Sequence, residues 1–217
     1  MNFNNITPVV KNLILINIVF FIGSNIAENS LGEQTISNWL AVHYPTCENF
    51  KPIQLITYMF MHGSISHIFF NMFGLFMFGP PIEYNWGPKR FLFYYLATGF
   101  GALILDFAVK YFQIHYTNIS PEEVYALVNT PMVGASGAIF GLLAAYAMMY
   151  PNNVIQLLFP PIPLKAKYFV LIYAAFELFS GVTGYQPGVG HFAHLGGALF
   201  GVLLILYWRN GGTIGKN

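Results

Sequence analysis

Charged residues are scarce in this chain, and their scarcity indicates its class. Only 8% of the 217 residues are Asp, Glu, Lys or Arg, whereas a soluble domain carries about 25% of them. Hydrophobic residues make up 56% of the chain, so this composition could not cover a surface that faces water. The chain is therefore predicted to be a membrane protein built from helices, because helices satisfy their own backbone hydrogen bonds in lipid.

Cysteine is also rare, and an excess of basic charge is missing. Cys47 is the single cysteine, which excludes a disulfide framework and a metal site made of cysteines. The net charge is only +1, whereas binding to nucleic acid needs clustered basic residues that neutralise phosphates. We therefore expect no nucleic acid partner, and we expect the lipid bilayer to surround most of the chain.

Six apolar segments each come close to the roughly 20 residues that a membrane-spanning helix needs. They lie at about 10–27, 64–80, 90–111, 132–150, 166–184 and 189–208. The first could be a signal peptide, but no small-residue cleavage site follows it, and further spans do. The sequence therefore predicts an all-α membrane protein: a six-transmembrane-helix bundle that forms a single domain over residues 1–217, without a separate soluble domain.

The basic residues indicate how the bundle is oriented. Seven of the nine Lys and Arg residues fall on one side of the six predicted spans. They are Lys11, Lys89, Arg90, Lys165, Lys167, Arg209 and Lys216. Because loops rich in Lys and Arg remain in the cytoplasm, both termini are predicted to be cytoplasmic. The compact form suits a bacterial inner membrane.

The loop between the third and fourth spans carries the pattern of a short helix. Ser120 is followed by Pro121, Glu122 and Glu123, which is the order of an N-cap serine, a proline at the first helical position and acids in the first turn. The sequence therefore predicts a helix that begins at Pro121. A second loop, at 160–163, is rich in proline and is predicted to be a tight cytoplasmic connector.

A serine and a histidine each lie among glycines near the start of a predicted span. Ser136 lies between Gly134 and Gly137, and His194 comes shortly before Gly197. A serine hydroxyl is a weak nucleophile until a base takes its proton, and a histidine without an acidic partner stays neutral at about pH 7 and can serve as that base. We expect Gly134 and Gly137 to leave room for a substrate backbone. Ser136 alone would be explained better by helix packing, which favours small residues in membranes.

The spacing of the glycines predicts that these two spans touch. Gly137 and Gly141 stand four residues apart on one span, as do Gly197 and Gly201 on the other. Such faces of small residues let helix backbones approach each other closely. Because both spans begin on the outer side of the membrane, this contact would bring the histidine beside the serine at a similar depth.

Two further polar residues share a face of the second span. His67 and Asn71 stand four residues apart, which puts them on one side of a helix, and both side chains can donate hydrogen bonds. Acyl transfer develops an oxyanion that preorganised donors stabilise. The two side chains and the backbone N–H of Ser136 are therefore candidates for an oxyanion hole. Hydrogen bonding between helices is an equally good explanation for the pair.

The remaining polar residues of the spans leave other interpretations open. Glu177 and Asp106 are acids within predicted spans, where they could move protons or ions or simply accept hydrogen bonds from other helices. His62 and His191 lie on the outer side with the other histidines. No HExxH pattern or paired carboxylate accompanies them, so neither a metal site nor a cofactor is expected.

Together these residues resemble the rhomboid family of intramembrane serine proteases. The resemblance rests on 134–137 (Gly-Ala-Ser-Gly), 193–197 (Ala-His-Leu-Gly-Gly) and 67–71 (His-Ile-Phe-Phe-Asn), with Glu83 and Gly87 after the second span. These motifs occupy spans two to six in the order seen in the family, and the six-span count agrees. The implied fold is a six-transmembrane-helix, rhomboid-like bundle.

The resemblance implies a serine endopeptidase that cleaves the transmembrane helices of membrane proteins near the outer face. Ser136 would be the nucleophile and His194 the general base, a dyad without aspartate. His67 and Asn71 would line the oxyanion hole, and Phe140 would pack against the histidine ring. The implied partners are transmembrane protein substrates and the lipid bilayer, and no cofactor is implied.

Two other functions make different demands on the same sequence. A catalytically silent relative that escorts membrane clients would lack Ser136 or His194, and both are present. A transporter would need a polar path across the whole membrane, whereas most polar residues of these spans lie in the outer half. In the protease that the resemblance implies, span five and the loop at 185–190 would form a lateral gate and cap.

Overall fold

Helices make up most of the chain in the computed structural model, which describes residues 6–32, 34–156, 162–186 and 188–212. Within these residues the α-helices are α1 (Pro8–Leu31), α2 (Thr35–Leu40), α3 (Gln54–Thr57), α4 (Ile65–Trp86), α5 (Pro88–Tyr116), α6 (Pro121–Asn129), α7 (Ser136–Met149), α8 (Ala166–Thr183) and α9 (His191–Asn210). A single turn of 3₁₀-helix, Tyr58–Phe60, follows α3. Each of the six predicted spans therefore contains a helix.

Five of these helices are long and apolar enough to cross a membrane, and the sixth, α7, is shorter. The five are α1, α4, α5, α8 and α9. With 14 residues, α7 is about 21 Å long, less than the roughly 30 Å of a bilayer's hydrocarbon core. It lies in the centre of the bundle, with every residue from Gly137 to Ala145 buried. The protein therefore surrounds α7, which does not need the length of a helix in contact with lipid.

The fourth predicted span is wrong at its beginning, because residues 132–135 are not helical. Met132 instead pairs with Val42 through two backbone hydrogen bonds, 2.8 and 3.0 Å long. Gly134 has a φ of +122° and donates its N–H to the carbonyl of Tyr58 at 2.9 Å. These contacts with the loop after α1 hold the chain extended, so the helix begins only at Ser136.

The second predicted span ends too early, because α4 continues through Pro80 and Pro81 to Trp86. Proline normally interrupts a helix since it lacks an N–H. Here the extension carries Glu83, which is 2% exposed, to the beginning of α1. Its carboxylate accepts the backbone N–H groups of Val9 and Val10, each at 2.9 Å. These first N–H groups have no partner within their own helix, so Glu83 joins α4 to α1.

The predicted all-α fold class is confirmed, and the described residues add one small element in the loop between α7 and α8. Two short strands, β1 (Val154–Gln156) and β2 (Pro163–Lys165), pair there in antiparallel order. Of the proline-rich connector predicted at 160–163, Pro160 and Pro161 lie outside the described residues. Pro163 begins a strand, a position in which its missing N–H is tolerated.

The short helix predicted in the loop between α5 and α7 is confirmed. It begins at Pro121, as the sequence indicates. The Ser120 side chain accepts the backbone N–H of Glu123, whose carboxylate in turn accepts the N–H of Ser120 at 2.7 Å. This reciprocal capping box satisfies two N–H groups of the first turn.

The predicted contact between the glycine faces of α7 and α9 is also confirmed. A Cβ added at Gly197 would lie 1.8 Å from the carbonyl oxygen of Gly137, and one added at Gly201 would lie 3.2 Å from Cα of Gly141. The two backbones therefore touch at positions where no side chain fits. Helix α5 packs against the same centre, where the Tyr94 hydroxyl donates to the Gly141 carbonyl at 2.8 Å.

Gly197→Ala is expected to destabilise the protein by about 2–3 kcal/mol, because the added methyl group meets backbone atoms that cannot rotate away. The measurement is chemical unfolding of the purified protein in detergent. Gly23→Ala on α1 is the matched control, since a Cβ there meets nothing within 4 Å. Equal stability of the two variants would contradict the proposed role of the contact.

Candidate active site

Ser136 and His194 are in direct contact at the centre of the bundle. The serine is the first residue of α7, and the histidine lies in the first turn of α9. His194 Nε2 lies 2.8 Å from Ser136 Oγ. When Nδ1 carries the ring proton, Nε2 is free to accept the hydroxyl proton of the serine. The close contact of α7 and α9 thus brings together a hydroxyl and an imidazole that are 58 residues apart in the chain.

The His194 ring is held by an aromatic neighbour, as the sequence analysis predicts. Phe140, one turn after Ser136, stacks on it with ring centroids 4.4 Å apart and only 5° between the planes. Tyr173 of α8 packs on the same phenylalanine at 4.7 Å. Stacking limits rotation of the imidazole, so Nε2 remains directed at the serine.

The expectation that His194 has no acidic partner is wrong. Oε2 of Glu177, on α8, lies 3.0 Å from Nδ1 of His194 and 2.7 Å from Nδ1 of His191. The carboxylate is 3% exposed, so these contacts are shielded from water. The acid beside the histidine is a glutamate, and it comes from a helix that the sequence analysis did not connect with the site.

His191 also binds the loop that follows α8. Its Nε2 lies 3.0 Å from the carbonyl oxygen of Tyr185 and 3.3 Å from that of Gln186. No role for this histidine is predicted from the sequence. Two features of the sequence could have indicated a role for His191. It stands three residues before His194 on one helical face, and Glu177 is the sole acid of the preceding span.

The polar face of α4, formed by His67 and Asn71, lies beside the serine. The position that a Cβ of Gly134 would take is 2.8 Å from His67 Nε2, so the His67 ring lies against the chain just before Ser136. The side-chain amide of Asn71 donates one N–H to the His67 carbonyl at 2.8 Å and retains a second N–H. As the first residue of α7, Ser136 has a backbone N–H without a partner in its own helix.

Gly134 and Gly137 do not leave the open space that the sequence analysis expected. The His67 ring occupies the side-chain position of Gly134, and Ala102 occupies that of Gly137, where an added Cβ would lie 2.5 Å from the alanine methyl carbon. These glycines serve close packing of protein against protein. Any substrate backbone must therefore approach Ser136 from another side.

His62 lies next to this face, in the loop before α4, and it remains uncharged. Its ring centroid is 5.0 Å from that of His67. Burial, and then the neighbouring His67, lower the pKa of His62 to about 4. A neutral His62 adds no positive charge beside the serine at physiological pH.

Three side chains of the site are of types that can bind a metal ion. Ligand atoms of Glu177, His191 and His194 all lie within 4.8 Å of one another. Zinc ligands about 2.0–2.1 Å from a tetrahedral ion stand about 3.3 Å from each other, whereas the carboxylate oxygen lies 2.7 and 3.0 Å from the two ring nitrogens. These shorter separations fit hydrogen bonds better than ligation of a common metal ion. The expectation that no metal is bound remains a prediction.

Asp106, the other acid of the spans, lies outside this arrangement. It forms an ion pair with Lys110 on the next turn of α5, with Nζ and Oδ2 3.2 Å apart. Glu177 likewise has two histidine partners. Both acids that suggested transport are therefore paired locally in the structure.

Comparison with known proteins identifies the family. The rhomboid domain matches residues 49–210, a range that includes both the serine–histidine pair and the polar face of α4. The chain belongs to the rhomboid family. The described structure fits this family: a helical bundle that crosses the membrane several times.

Several proteins resemble this rhomboid over much of its length. It is 32% identical to Rhomboid protease AarA of Providencia stuartii over 149 residues, which cover 67% of this chain and 52% of the relative. It is 32% identical to the mitochondrial RHOMBOID-like protein 12 of Arabidopsis thaliana over 161 residues, 70% of this chain and 46% of the relative. It is 30% identical to the mitochondrial Presenilin-associated rhomboid-like protein of Bos taurus over 166 residues, which cover 74% of this chain and 40% of the relative. The chain therefore spans about half the length of these relatives, or less.

Gly134→Ala is expected to destabilise this rhomboid by about 1–3 kcal/mol, because a side chain at a φ of +122° is strained and the new methyl group would push the His67 ring away. Chemical unfolding in detergent measures the effect. Gly63→Ala, in the loop before α4 and with nothing within 4 Å of the added Cβ, serves as the control. A Gly134 variant as stable as this control would show that the position tolerates a side chain.

Proposed function

We propose that this chain is an intramembrane serine endopeptidase in which Ser136 is the nucleophile and His194 the general base. The observation that carries the proposal is the 2.8 Å separation of Ser136 Oγ and His194 Nε2 within a bundle of membrane-length helices. Ionisable residues are costly inside a membrane and are usually functional. Membership of the rhomboid family and the likeness to a protein named as a rhomboid protease support the same function.

The bond-making and proton-transfer steps of the reaction use these two side chains and water. Ser136 Oγ attacks the carbonyl carbon of the scissile peptide while His194 takes its proton, and the histidine then protonates the leaving amine as the C–N bond breaks. The result is an acyl ester on the serine. A water molecule, deprotonated by the same histidine, attacks this ester and restores the free hydroxyl. The proposal requires neither a metal nor a cofactor.

The oxyanion of the tetrahedral intermediate requires donors beside Ser136. We assign this role to the backbone N–H of Ser136, the second amide N–H of Asn71 and the ring of His67. The first lies at the N-terminus of α7, where the helix dipole favours negative charge. Donors in a water-poor site stabilise developing charge more strongly than they would in water.

The substrates in this proposal are the transmembrane helices of other proteins, cut near the outer face of the membrane. A helix resists proteolysis because its carbonyls are hydrogen-bonded, so a substrate with glycine or proline near the cut should unwind more easily. We propose entry beside α8, with the loop at 185–190 as a cap. Helix α8 is the least buried of the five long membrane helices, which supports this choice.

The proposal places both termini in the cytoplasm of a bacterium, with the chain in the inner membrane. The positions of the basic residues support this orientation, because Lys and Arg concentrate on the side of the termini. The relatives include a bacterial protein and proteins of mitochondria and chloroplasts. Reporter fusions to the C-terminus, active only in the cytoplasm, test this placement in bacteria.

Ser136→Ala and His194→Ala are each expected to abolish cleavage of a single-span reporter by the purified protein in liposomes, because each removes one half of the proton transfer. A fluorophosphonate probe should label Ser136 in the wild type only. The control is Ser24→Ala, which removes a hydroxyl that bonds within α1. Cleavage by the Ser136 variant at a rate near that of the wild type would overturn the proposal.

Asn71→Ala is expected to slow cleavage by about 10- to 1000-fold, the range for loss of one oxyanion donor. The rate constant should fall while the fold remains intact, as measured by thermal unfolding. Asn17→Ala is a matched control, since the Asn17 amide also donates to the carbonyl four residues before it, at 2.7 Å, but lies on α1. An equal loss of rate in both variants would indicate a general effect of removing a buried amide.

A further inference from the structure

We infer that Glu177 is a positioning residue for the general base, so that the site is a serine–histidine–glutamate arrangement with His191 as its support. This inference rests on the proposed protease function and adds a residue to its machinery. Glu177 comes from α8, whereas the serine and the histidine come from α7 and α9. The third helix of the site thus supplies a carboxylate that the serine–histidine pair alone would lack.

The first step of the argument is the position of the proton on His194. For Nε2 to accept the serine proton, Nδ1 must carry the proton of the neutral ring. Nδ1 is buried, and within the described part of the chain it has no hydrogen bond of good geometry. Its nearest acidic oxygen is Oε2 of Glu177 at 3.0 Å. A buried N–H without an acceptor is unfavourable, so this carboxylate favours the ring tautomer that catalysis needs.

The second step concerns His191, which holds the carboxylate in place. Both of its ring nitrogens face oxygen atoms that can only accept: Glu177 Oε2 at 2.7 Å and, on the other side, the carbonyls of Tyr185 and Gln186. His191 therefore connects the buried carboxylate to the loop after α8.

The third step is the charge that develops during the reaction. When His194 takes the serine proton it becomes positively charged, and an opposite charge 3.0 Å away stabilises it in a site of low dielectric. A buried carboxylate is costly unless it is paired, and an apolar residue would pack α8 against α9 at lower cost. The position of Glu177, in contact with both histidines, is therefore better explained by chemistry than by packing.

Other titratable groups surround the pair and must be considered in any test by pH. Tyr173 lies one turn before Glu177 on α8, and His67 approaches from α4. On the far side of His191, Asp106 and Lys110 of α5 line a cavity of about 220 Å³ shared with the loop after α8. Of these groups, Asp106 offers the best control, because it is a buried acid of a neighbouring span that does not contact His194.

The test compares Glu177→Gln with the wild type and with Asp106→Asn, each reconstituted in liposomes. The amide keeps the shape of the side chain and removes its charge. Four quantities are measured: kcat and KM for a single-span reporter, the rate of fluorophosphonate labelling across pH, and the midpoint of thermal unfolding. The unfolding midpoint separates a structural effect from a chemical one.

Glu177→Gln is expected to lower kcat and the labelling rate by about 100-fold or more, with KM changed by less than about 3-fold. Loss of an acid that orients a catalytic histidine costs up to about 10,000-fold in a serine protease. The acid limb of the pH–rate profile should move to lower pH, because the charged form of His194 loses its partner. Asp106→Asn should leave kcat, KM and the labelling rate near those of the wild type.

A folded Glu177→Gln protein with the rate and the pH profile of the wild type would overturn the inference. If this variant does not fold, Glu177→Asp takes its place. The shorter side chain withdraws the carboxylate from His194, and labelling should slow by at least about 5-fold with KM unchanged, an intermediate loss on the same principle. A wild-type rate and pH profile in that variant would also overturn it.

Two further experiments, the activity of the wild type and its response to chelation, separate this inference from its alternatives. A wild type that neither cleaves nor labels Ser136 would refute the proposed function itself, whereas an active wild type with an equally active Glu177→Gln variant would refute the inference alone. Treatment with EDTA should leave wild-type activity unchanged. Loss of activity on chelation with recovery on adding Zn²⁺ would overturn the inference, because the three side chains would then bind a metal.

Discussion

The close backbone contact between α7 and α9 is the constraint on which the rest of the structure depends. Gly197 and Gly137 meet at a distance that leaves no room for a single methyl group. Helices in lipid gain little from hydrophobic association and are held together by such close packing. This contact sets the depth and the rotation of both helices, and it is why Ser136 and His194 meet although each belongs to a different helix.

Two buried carboxylates each join a pair of helices in the bundle. Glu83 of α4 accepts the first N–H groups of α1, and Glu177 of α8 contacts two histidines of α9. A charge in the membrane interior must be paired or hydrogen-bonded, so each carboxylate restricts how its helix can rotate. The same requirement that stabilises the bundle thus places one carboxylate beside His194, the proposed general base.

Much of the architecture could be predicted because it depends on local pattern. The apolar segments predict the spans, the sequence from Ser120 to Glu123 predicts the capping box of α6, and the glycine spacing predicts the contact of α7 with α9. The errors occur where distant residues override the local pattern. The pairing of Met132 with Val42 delays the start of α7, and the contacts of Glu83 with α1 accompany a helix that continues past two prolines.

The sequence by itself determined that this chain lies in a membrane, that it resembles the rhomboid family, and that a serine and a histidine begin two of its spans. Only the tertiary structure decided which acid lies beside His194 and what fills the space at Gly134. The physical reason is that composition and periodicity report the environment of each helix separately. The partner of a side chain depends instead on how neighbouring helices are rotated about their axes, and contacts far apart in the chain set that rotation.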